Sequence, residues 1–134
     1  MSRYGSEFKA VFLLAVCCLS RSSMSQSWPV DTATIQKFET NLRASKYWSR
    51  YSDVTKFDRY YAPITQNGRR IIAAEFLLLD LNNGKTPDAH IVSSEKDLPV
   101  IFDGGCSVIN AVYDVEADRI LSFACNGQAY RPQS

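Results

Sequence analysis

A short polar cluster is the first feature of this sequence that could do chemistry. In the stretch FDRYYAPITQNGRRIIAAEFLL, Asn67-Gly68 separates two apolar runs, which predicts a hairpin with a two-residue type I′ turn. Pairing about that turn places Tyr60 opposite Glu75, with Asp58 on the same face. A carboxylate whose pKa is raised by an apolar wall can act as a general base while a tyrosine polarises a carbonyl. We favour a purely structural role, a cross-strand Tyr–Glu hydrogen bond, and therefore predict no catalytic residue; Asp58, Tyr60 and Glu75 are the candidates if the cluster is catalytic.

The cysteines near the C-terminus form the second chemically capable group. Cys106 and Cys125 follow the expected export signal described below, and two cysteines in an exported chain most often pair. Zinc needs about four Cys or His ligands, and a catalytic thiol needs a base, but His90 is the single histidine. We therefore predict a Cys106–Cys125 disulfide, no metal site and no cofactor, with free buried thiols and a reactive role as the alternatives.

The predicted disulfide also suggests how the last two strands pair. If Cys106 lies opposite Cys125, residues 114–117 form a four-residue loop and Tyr113 faces Asp118. In this register a set of apolar side chains shares one face of the hairpin: Val108, Val112, Leu121 and Phe123.

Three residues are candidates for contact with a protein partner: Arg69 and Arg70, directly after the predicted turn, and Tyr61 in the aromatic and basic stretch before it. An exposed basic tip can dock an acidic partner, although two arginines after a turn are more often only solvated. His90, beside Asp88 in a short predicted strand, is expected to be an ordinary surface or packing residue.

The first 25 residues have the parts of a secretory signal peptide. Arg3 and Lys9 precede the apolar stretch 10–19, and Ser23-Met24-Ser25 offers small residues at a cleavage site. The apolar stretch is shorter than the roughly 20 residues that span a bilayer. A buried core helix is the alternative, but such a helix should have a polar face.

We therefore expect a signal peptide over residues 1–25 and a single domain over residues 26–134, in a secreted or periplasmic protein. Lipid anchoring is the minority interpretation, because Val16 precedes Cys17 where a lipoprotein signal has a small residue. No membrane span is expected after removal of the signal segment.

Composition and motifs exclude several classes of function. The chain is 46% hydrophobic and 22% charged, which favours a globular core over disorder. The chain has 15 basic and 14 acidic side chains, and three of the basic and one of the acidic side chains precede residue 26. The expected charge of the mature protein is therefore about −1, which argues against nucleic-acid binding. There is no phosphate-binding loop, nucleophile elbow, zinc-protease motif, calcium loop or dinucleotide fingerprint.

The order of elements predicts an α+β fold. A helix is expected over residues 32–49, with an N-cap at Asp31 or Thr32 and an apolar stripe of Ile35, Phe38 and Leu42. Four to five antiparallel strands follow, and we expect the helix to pack on one face of their curved sheet. Pro63 predicts that its strand lies at an edge or carries a bulge. The strand 71–81 is apolar on both faces, so its second face needs cover.

This order of elements resembles the cystatin-like and NTF2-like half-rolls, in which a curved sheet wraps a helix. Fold alone does not assign function. We therefore consider three hypotheses. The first is a small binding module that acts by protein–protein contact as an inhibitor, an immunity-type factor or an envelope accessory. The second is a half-roll enzyme or small-ligand carrier with a pocket of tyrosine and carboxylates, and the third is a homodimeric structural protein.

Overall fold

The computed structural model describes residues 27–48, 53–78 and 85–126. The predicted signal peptide lies outside these ranges. The described chain forms one helix, α1 (Thr32–Ala44), and five strands: β1 (Phe57–Gln66), β2 (Arg69–Leu78), β3 (Ala89–Ile91), β4 (Val108–Asp114) and β5 (Arg119–Cys125). The helix packs on one face of an open, curved sheet with strand order β3-β1-β2-β4-β5, which confirms the α+β half-roll prediction.

The helix begins as predicted and ends earlier. The Asp31 side chain accepts a hydrogen bond from the Thr34 N–H at 2.8 Å, which caps the first turn. The predicted stripe of Ile35, Phe38 and Leu42 is buried. The helix ends at Ala44 instead of residue 49, because the Ser45 N–H and hydroxyl both donate to the Leu42 carbonyl. The turn that follows brings Tyr47 and Trp48 onto the sheet, where both rings contact Phe123.

The central hairpin has the predicted register. Asn67 and Gly68 have φ values of 52° and 74°, as a type I′ turn requires. Tyr60 lies opposite Glu75 and Asp58 opposite Leu77. The prediction that the Pro63 strand lies at an edge or carries a bulge is wrong, because β1 lies between β3 and β2 and its register with β2 is regular. Pro63 is tolerated there because it lies beyond the short stretch of β1 that pairs with β3.

The sheet is mixed, which corrects the prediction of a purely antiparallel sheet. β3 pairs with β1 in parallel, and His90 lies opposite Tyr60. The Arg59 N–H donates to the Asp88 carbonyl at 2.8 Å, and the Val92 N–H donates to the Tyr61 carbonyl at 2.9 Å. Because β2 lies between β1 and β3 in the chain, no hairpin turn constrains β3 to run antiparallel to β1.

The predicted register of the final hairpin is wrong. Cys106 lies in a 3-10 turn (Gly105–Ser107) before β4, so it does not pair within the ladder. Ile109 is the residue opposite Cys125, and an irregularity at Val112/Tyr113 then places Tyr113 opposite Ile120. The four-residue loop is therefore 115–118.

The shifted register also changes the buried face of this hairpin. The side chains of this hairpin that lie in the core beneath the helix are Ile109, Ala111, Tyr113 and Phe123. Of the four apolar residues predicted to share one face, only Phe123 is among them. Leu121 is exposed. The position of the disulfide does not determine the register of the hairpin, because Cys106 lies outside the strands.

The second face of β2 is covered, as predicted. Ile72, Ala74 and Phe76 face the helix, whereas Ile71 and Ala73 lie on the opposite face and are also buried. We call that opposite side the outer face. The connection 92–107 returns from the β3 edge to the start of β4, and its 3-10 turns contact the strands.

Candidate functional site

The Asp58 carboxylate is the centre of a polar cluster on the outer face. Its Oδ1 lies 2.9 Å from His90 Nε2 and accepts the Asp88 N–H at 3.0 Å. Its Oδ2 accepts the Tyr60 hydroxyl at 2.9 Å. Because an ionised carboxylate only accepts hydrogen bonds, His90 Nε2 carries the hydrogen in this pair. Asp58 therefore orients both rings.

His90 belongs to this cluster, although the sequence analysis left it as an ordinary residue. Its imidazole stacks on the Tyr60 ring with centroids 4.6 Å apart and planes inclined by 24°. The parallel pairing of β3 with β1 creates this contact. The only signal in the sequence is the spacing of Asp88 and His90 within a short apolar segment, and that spacing does not specify a partner strand.

The hydrogen bonds determine the ionisation of the cluster. Burial acts to raise the pKa of Asp58, but the hydrogen bonds from the Asp88 backbone, His90 and Tyr60 together hold the pKa below its usual value. Burial and the hydrogen bond to Asp58 raise the pKa of Tyr60, and the charge of Glu75 adds to this effect. At neutral pH the cluster therefore contains a carboxylate and a neutral phenol.

Glu75 lies on the same face, directly opposite Tyr60, and is only 6% exposed. Burial raises the pKa of its carboxyl group. Among the described residues, no donor lies within hydrogen-bonding distance of that group. The hairpin thus brings Asp58, Tyr60 and Glu75 onto one face, but the predicted Tyr60–Glu75 hydrogen bond is replaced by one between Tyr60 and Asp58.

The cluster has the parts of an acid–base site. An Asp–His pair can transfer a proton, and Tyr60 can donate a hydrogen bond to a polar substrate. One open groove, of about 450 Å³, lies on another part of the surface, and none of the three catalytic candidates lines it. Its lining consists of Ser27, Trp28, Pro29, Val30, Pro63, Ile91, Val92 and Ser93.

The residues predicted to contact a partner are engaged within the chain. Arg69 Nη2 lies 2.8 Å from Asp114 Oδ2, and Arg70 Nε lies 2.9 Å from Glu116 Oε1. Tyr61 is fully buried, and its hydroxyl donates to Glu39. The two arginines thus connect the tip of the first hairpin to the second hairpin, and Tyr61 belongs to the core.

A different surface exposes apolar side chains. In residues 100–102, which we call the apolar loop, Val100 is 74% exposed and Phe102 is 82% exposed. The sequence analysis treated this stretch only as a lead into the glycine turn. Three consecutive apolar residues outside any strand, followed by Asp103-Gly104-Gly105, were the available signal.

Contacts on its C-terminal side hold the apolar loop in place. The Asn126 side-chain amide donates to the Ile101 carbonyl, and the Asn126 N–H donates to the Val108 carbonyl at 2.8 Å. Gly104 fits closely against Val108, because a Cβ at Gly104 would lie 2.1 Å from Val108 Cγ2. The backbone of the loop therefore has a defined position although its side chains point into solvent.

The predicted disulfide between Cys106 and Cys125 is confirmed. It links the turn after the apolar loop to the end of β5, so neither cysteine is a thiol in this structure. Within residues 27–48, 53–78 and 85–126, no group of three or more His, Cys, Asp or Glu side chains is placed to hold a metal ion. No helix in the same ranges is long and apolar enough to cross a membrane.

Comparisons of the chain with protein-family models, with curated proteins and with solved structures found no match.

Proposed function

We propose that the protein is a small secreted or periplasmic binding module that contacts a protein partner through the apolar loop. The observation that carries the proposal is the exposure of Phe102. The other four phenylalanines of the described chain are at most 7% exposed: Phe38, Phe57, Phe76 and Phe123. Phe102 alone among them is excluded from the core.

Burial of the apolar loop by a partner would be favourable. Full burial of a phenylalanine side chain contributes about 1.5–3 kcal/mol, and Val100 and Ile101 add further apolar area. Aromatic residues often dominate binding energy when they enter a pocket on a partner. Because the loop backbone is held by Asn126, Gly104 and the disulfide, binding would not require the loop to be ordered first.

The signal-like N-terminus and the disulfide support an exported location. Disulfides persist in oxidising compartments and are rare in the cytosol. Mass spectrometry of the native protein tests the location: export predicts an N-terminus near Gln26 and no alkylatable thiol at Cys106 or Cys125. An intact leader with two free thiols would contradict it.

The Asp58–His90 pair favours one second candidate, a half-roll enzyme or small-ligand carrier. The pair is oriented for proton transfer, and His90 remains 40% exposed. A homodimer formed through the second face of β2 has less support, since Ile71 and Ala73 are already buried within one chain.

Affinity capture with two matched variants tests the binding proposal. Phe102→Ser removes the most exposed aromatic side chain, whereas Leu121→Ser makes a similar change on β5, where the side chain is 41% exposed. We expect wild-type and Leu121→Ser baits to retain the same protein, and Phe102→Ser to lose it. Retention of that protein by all three baits would reject the apolar loop as the contact surface. The free energy of unfolding of each variant should lie within about 0.5 kcal/mol of that of wild type.

A further inference from the structure

The open groove beside the N-terminal segment has the size and the lining of a binding site. Its volume of about 450 Å³ lies within the range of a few hundred to about 1,000 Å³ that ligand sites occupy. Two stretches of chain, 27–30 and 91–93, line it together with Pro63. Six of its eight lining residues are apolar, and the other two are Ser27 and Ser93. The groove therefore favours an apolar group.

The lack of an N–H at Pro63 explains where the groove lies. In the parallel pairing of β1 with β3, the Arg59 N–H donates to the Asp88 carbonyl and the Val92 N–H donates to the Tyr61 carbonyl. The next bond of this ladder would run from residue 63 to the Val92 carbonyl, but proline cannot donate it. The pairing therefore stops at Val92, and the groove lies at this interruption.

The Trp28 ring is a preformed wall of the groove. Its Nε1–H donates to the Ile64 carbonyl at 2.9 Å, and the Arg70 guanidinium lies over the ring, 5.4 Å from its centroid. Trp28 and Val30 also pack on the core. Because the indole N–H is already used within the chain, the ring offers apolar surface, which suits an aromatic side chain. Binding would not require this wall to be ordered first.

The apolar loop carries an aromatic side chain that lacks such a site. Phe102 is 82% exposed on a backbone that has a defined position. A benzene molecule fits a cavity of about 150 Å³, so the groove has room for the Phe102 ring and part of Val100. One molecule thus presents both an exposed aromatic side chain and an apolar groove that can hold it.

The apolar loop cannot enter the groove of its own molecule. Asn126 and the disulfide hold the loop at the end of β5, whereas the groove lies beside β1 and β3, with β2 and β4 between them. Val108, which Asn126 also contacts, is in register with Asp58 across the sheet. Pro63 lies five residues further along β1, about 17 Å away. A second molecule is therefore needed to bring Phe102 to the groove.

We propose that Phe102 of one molecule inserts into the groove of a second copy of this chain. This inference rests on the proposed function, because it uses the same apolar loop and identifies the protein partner as a second copy. The two surfaces that meet are different, so the contact is heterologous. A loop of three apolar side chains buries less than the roughly 1,000 Å² of a stable interface, so the association should be weak and dependent on concentration.

Two variants that each lack one of the two surfaces test the contact. Phe102→Ser keeps the groove, whereas Ile91→Asp keeps the loop and places a charge in the groove. We would label Phe102→Ser with ¹⁵N, add unlabelled Ile91→Asp, and follow the Trp28 indole signal and the backbone amides of Val92 and Ser93 by NMR. We expect saturable shifts of these signals, and none when unlabelled Phe102→Ser is added instead. No shift, or shifts only at other residues, would overturn the proposal.

Sedimentation equilibrium of the single variants gives an independent measurement. Ile91→Asp and Phe102→Ser should each weaken self-association of the wild type at least about tenfold, because a charge or a hydroxyl replaces apolar contact. Leu78→Asp is the matched control, since Leu78 is 47% exposed and Ile91 is 49% exposed, and it should associate like wild type. Ser93→Arg changes an exposed groove residue outside the strands, so it tests the groove even if Ile91→Asp unfolds. Wild-type association of Ser93→Arg would reject the groove as the contact.

Failure of this inference and failure of the proposed function give different results. If wild-type bait retains a different protein that Phe102→Ser loses, and copies of the chain do not associate, the second copy is rejected while the apolar loop remains a partner-binding surface. Retention of the captured protein by Phe102→Ser rejects the apolar loop itself.

Discussion

Asp58 Oδ1 and His90 Nε2 lie 2.9 Å apart although 32 positions separate the two residues in sequence. Their contact joins β1 to the three-residue strand β3, which is too short for its backbone hydrogen bonds alone to hold it firmly. The Asp58 side chain thus has a structural role whether or not the cluster performs chemistry.

We expect Asp58→Asn to lower the free energy of unfolding by about 1–3 kcal/mol at pH 7, because a charged acceptor of three hydrogen bonds is lost. The pKa of Asp58 is lower in the folded state than in the unfolded chain. Its contribution to stability is therefore present above the unfolded pKa of about 4 and is lost as the pH falls through the folded pKa.

Urea unfolding at pH 7 and pH 2.5 checks this prediction, with the exposed residue Asp103 changed to Asn as the control. Wild type and the Asp58→Asn variant should converge in stability at the lower pH. An undiminished difference at pH 2.5 would mean that the charge of Asp58 is not the cause.

Glu75→Gln should raise the free energy of unfolding at neutral and alkaline pH, whereas Asp58→Asn should lower it. Burial raises the pKa of Glu75 in the folded state, so folding opposes its ionisation, and stability is lost as the pH rises from the unfolded pKa to the folded pKa. We expect Glu75→Gln to be more stable than wild type at pH 8, by about 1 kcal/mol, and to differ little at pH 3.

Glu116→Gln serves as a control, because its expected change in stability has the opposite sign to that of Glu75→Gln. The hydrogen bonds from Arg70 hold the pKa of Glu116 below its usual value, so the charged form is favoured by folding. Thermal unfolding at pH 8 should therefore show a small loss of stability for Glu116→Gln and a gain for Glu75→Gln. A loss for both variants would show that Glu75 has a favourable partner.

Gly104→Ala should destabilise the protein by about 1–3 kcal/mol, since the new methyl group would overlap Val108 Cγ2. Val108→Ala removes that nearer atom, so the double variant should lose less stability than the sum of the two single variants. The free energies of the four proteins in this cycle, measured by urea unfolding, check the prediction. Additive losses would indicate that Gly104 is required for another reason.

Replacement of both Cys106 and Cys125 by serine should cost about 3 kcal/mol, because the disulfide joins residues 19 positions apart and closes a loop that is otherwise free in the unfolded chain. Urea unfolding of the oxidised wild type, the reduced wild type and the double variant measures this contribution. The reduced wild type and the double variant should have the same free energy of unfolding. A reduced wild type as stable as the oxidised protein would contradict the prediction.

The parts of the fold that were predicted correctly depend on local geometry. A two-residue turn at Asn67-Gly68 fixes the register of its strands, so the positions of Asp58, Tyr60 and Glu75 followed from the sequence. The buried stripe of the helix was also predicted correctly from the spacing of its apolar residues, and the disulfide from the number of cysteines.

The remaining features depend on contacts distant in sequence. A four-residue loop permits several registers, and the irregularity at Val112/Tyr113 could not be predicted from the order of residues. The parallel pairing of β3 brought His90 to Asp58 without a sequence signal. The exposure of Phe102 depends on where the core is already filled, which is a property of the whole fold.

The most direct test of the binding proposal is photo-crosslinking from position 102. Benzoylphenylalanine would replace Phe102 in one protein and Leu121 in another, and both would be expressed in the native host and irradiated. We predict one dominant protein adduct from position 102, which excess wild-type protein prevents, and no such adduct from position 121. Absence of a competed adduct at position 102, or the same adduct from both positions, would contradict the assignment of the apolar loop as the partner-binding surface.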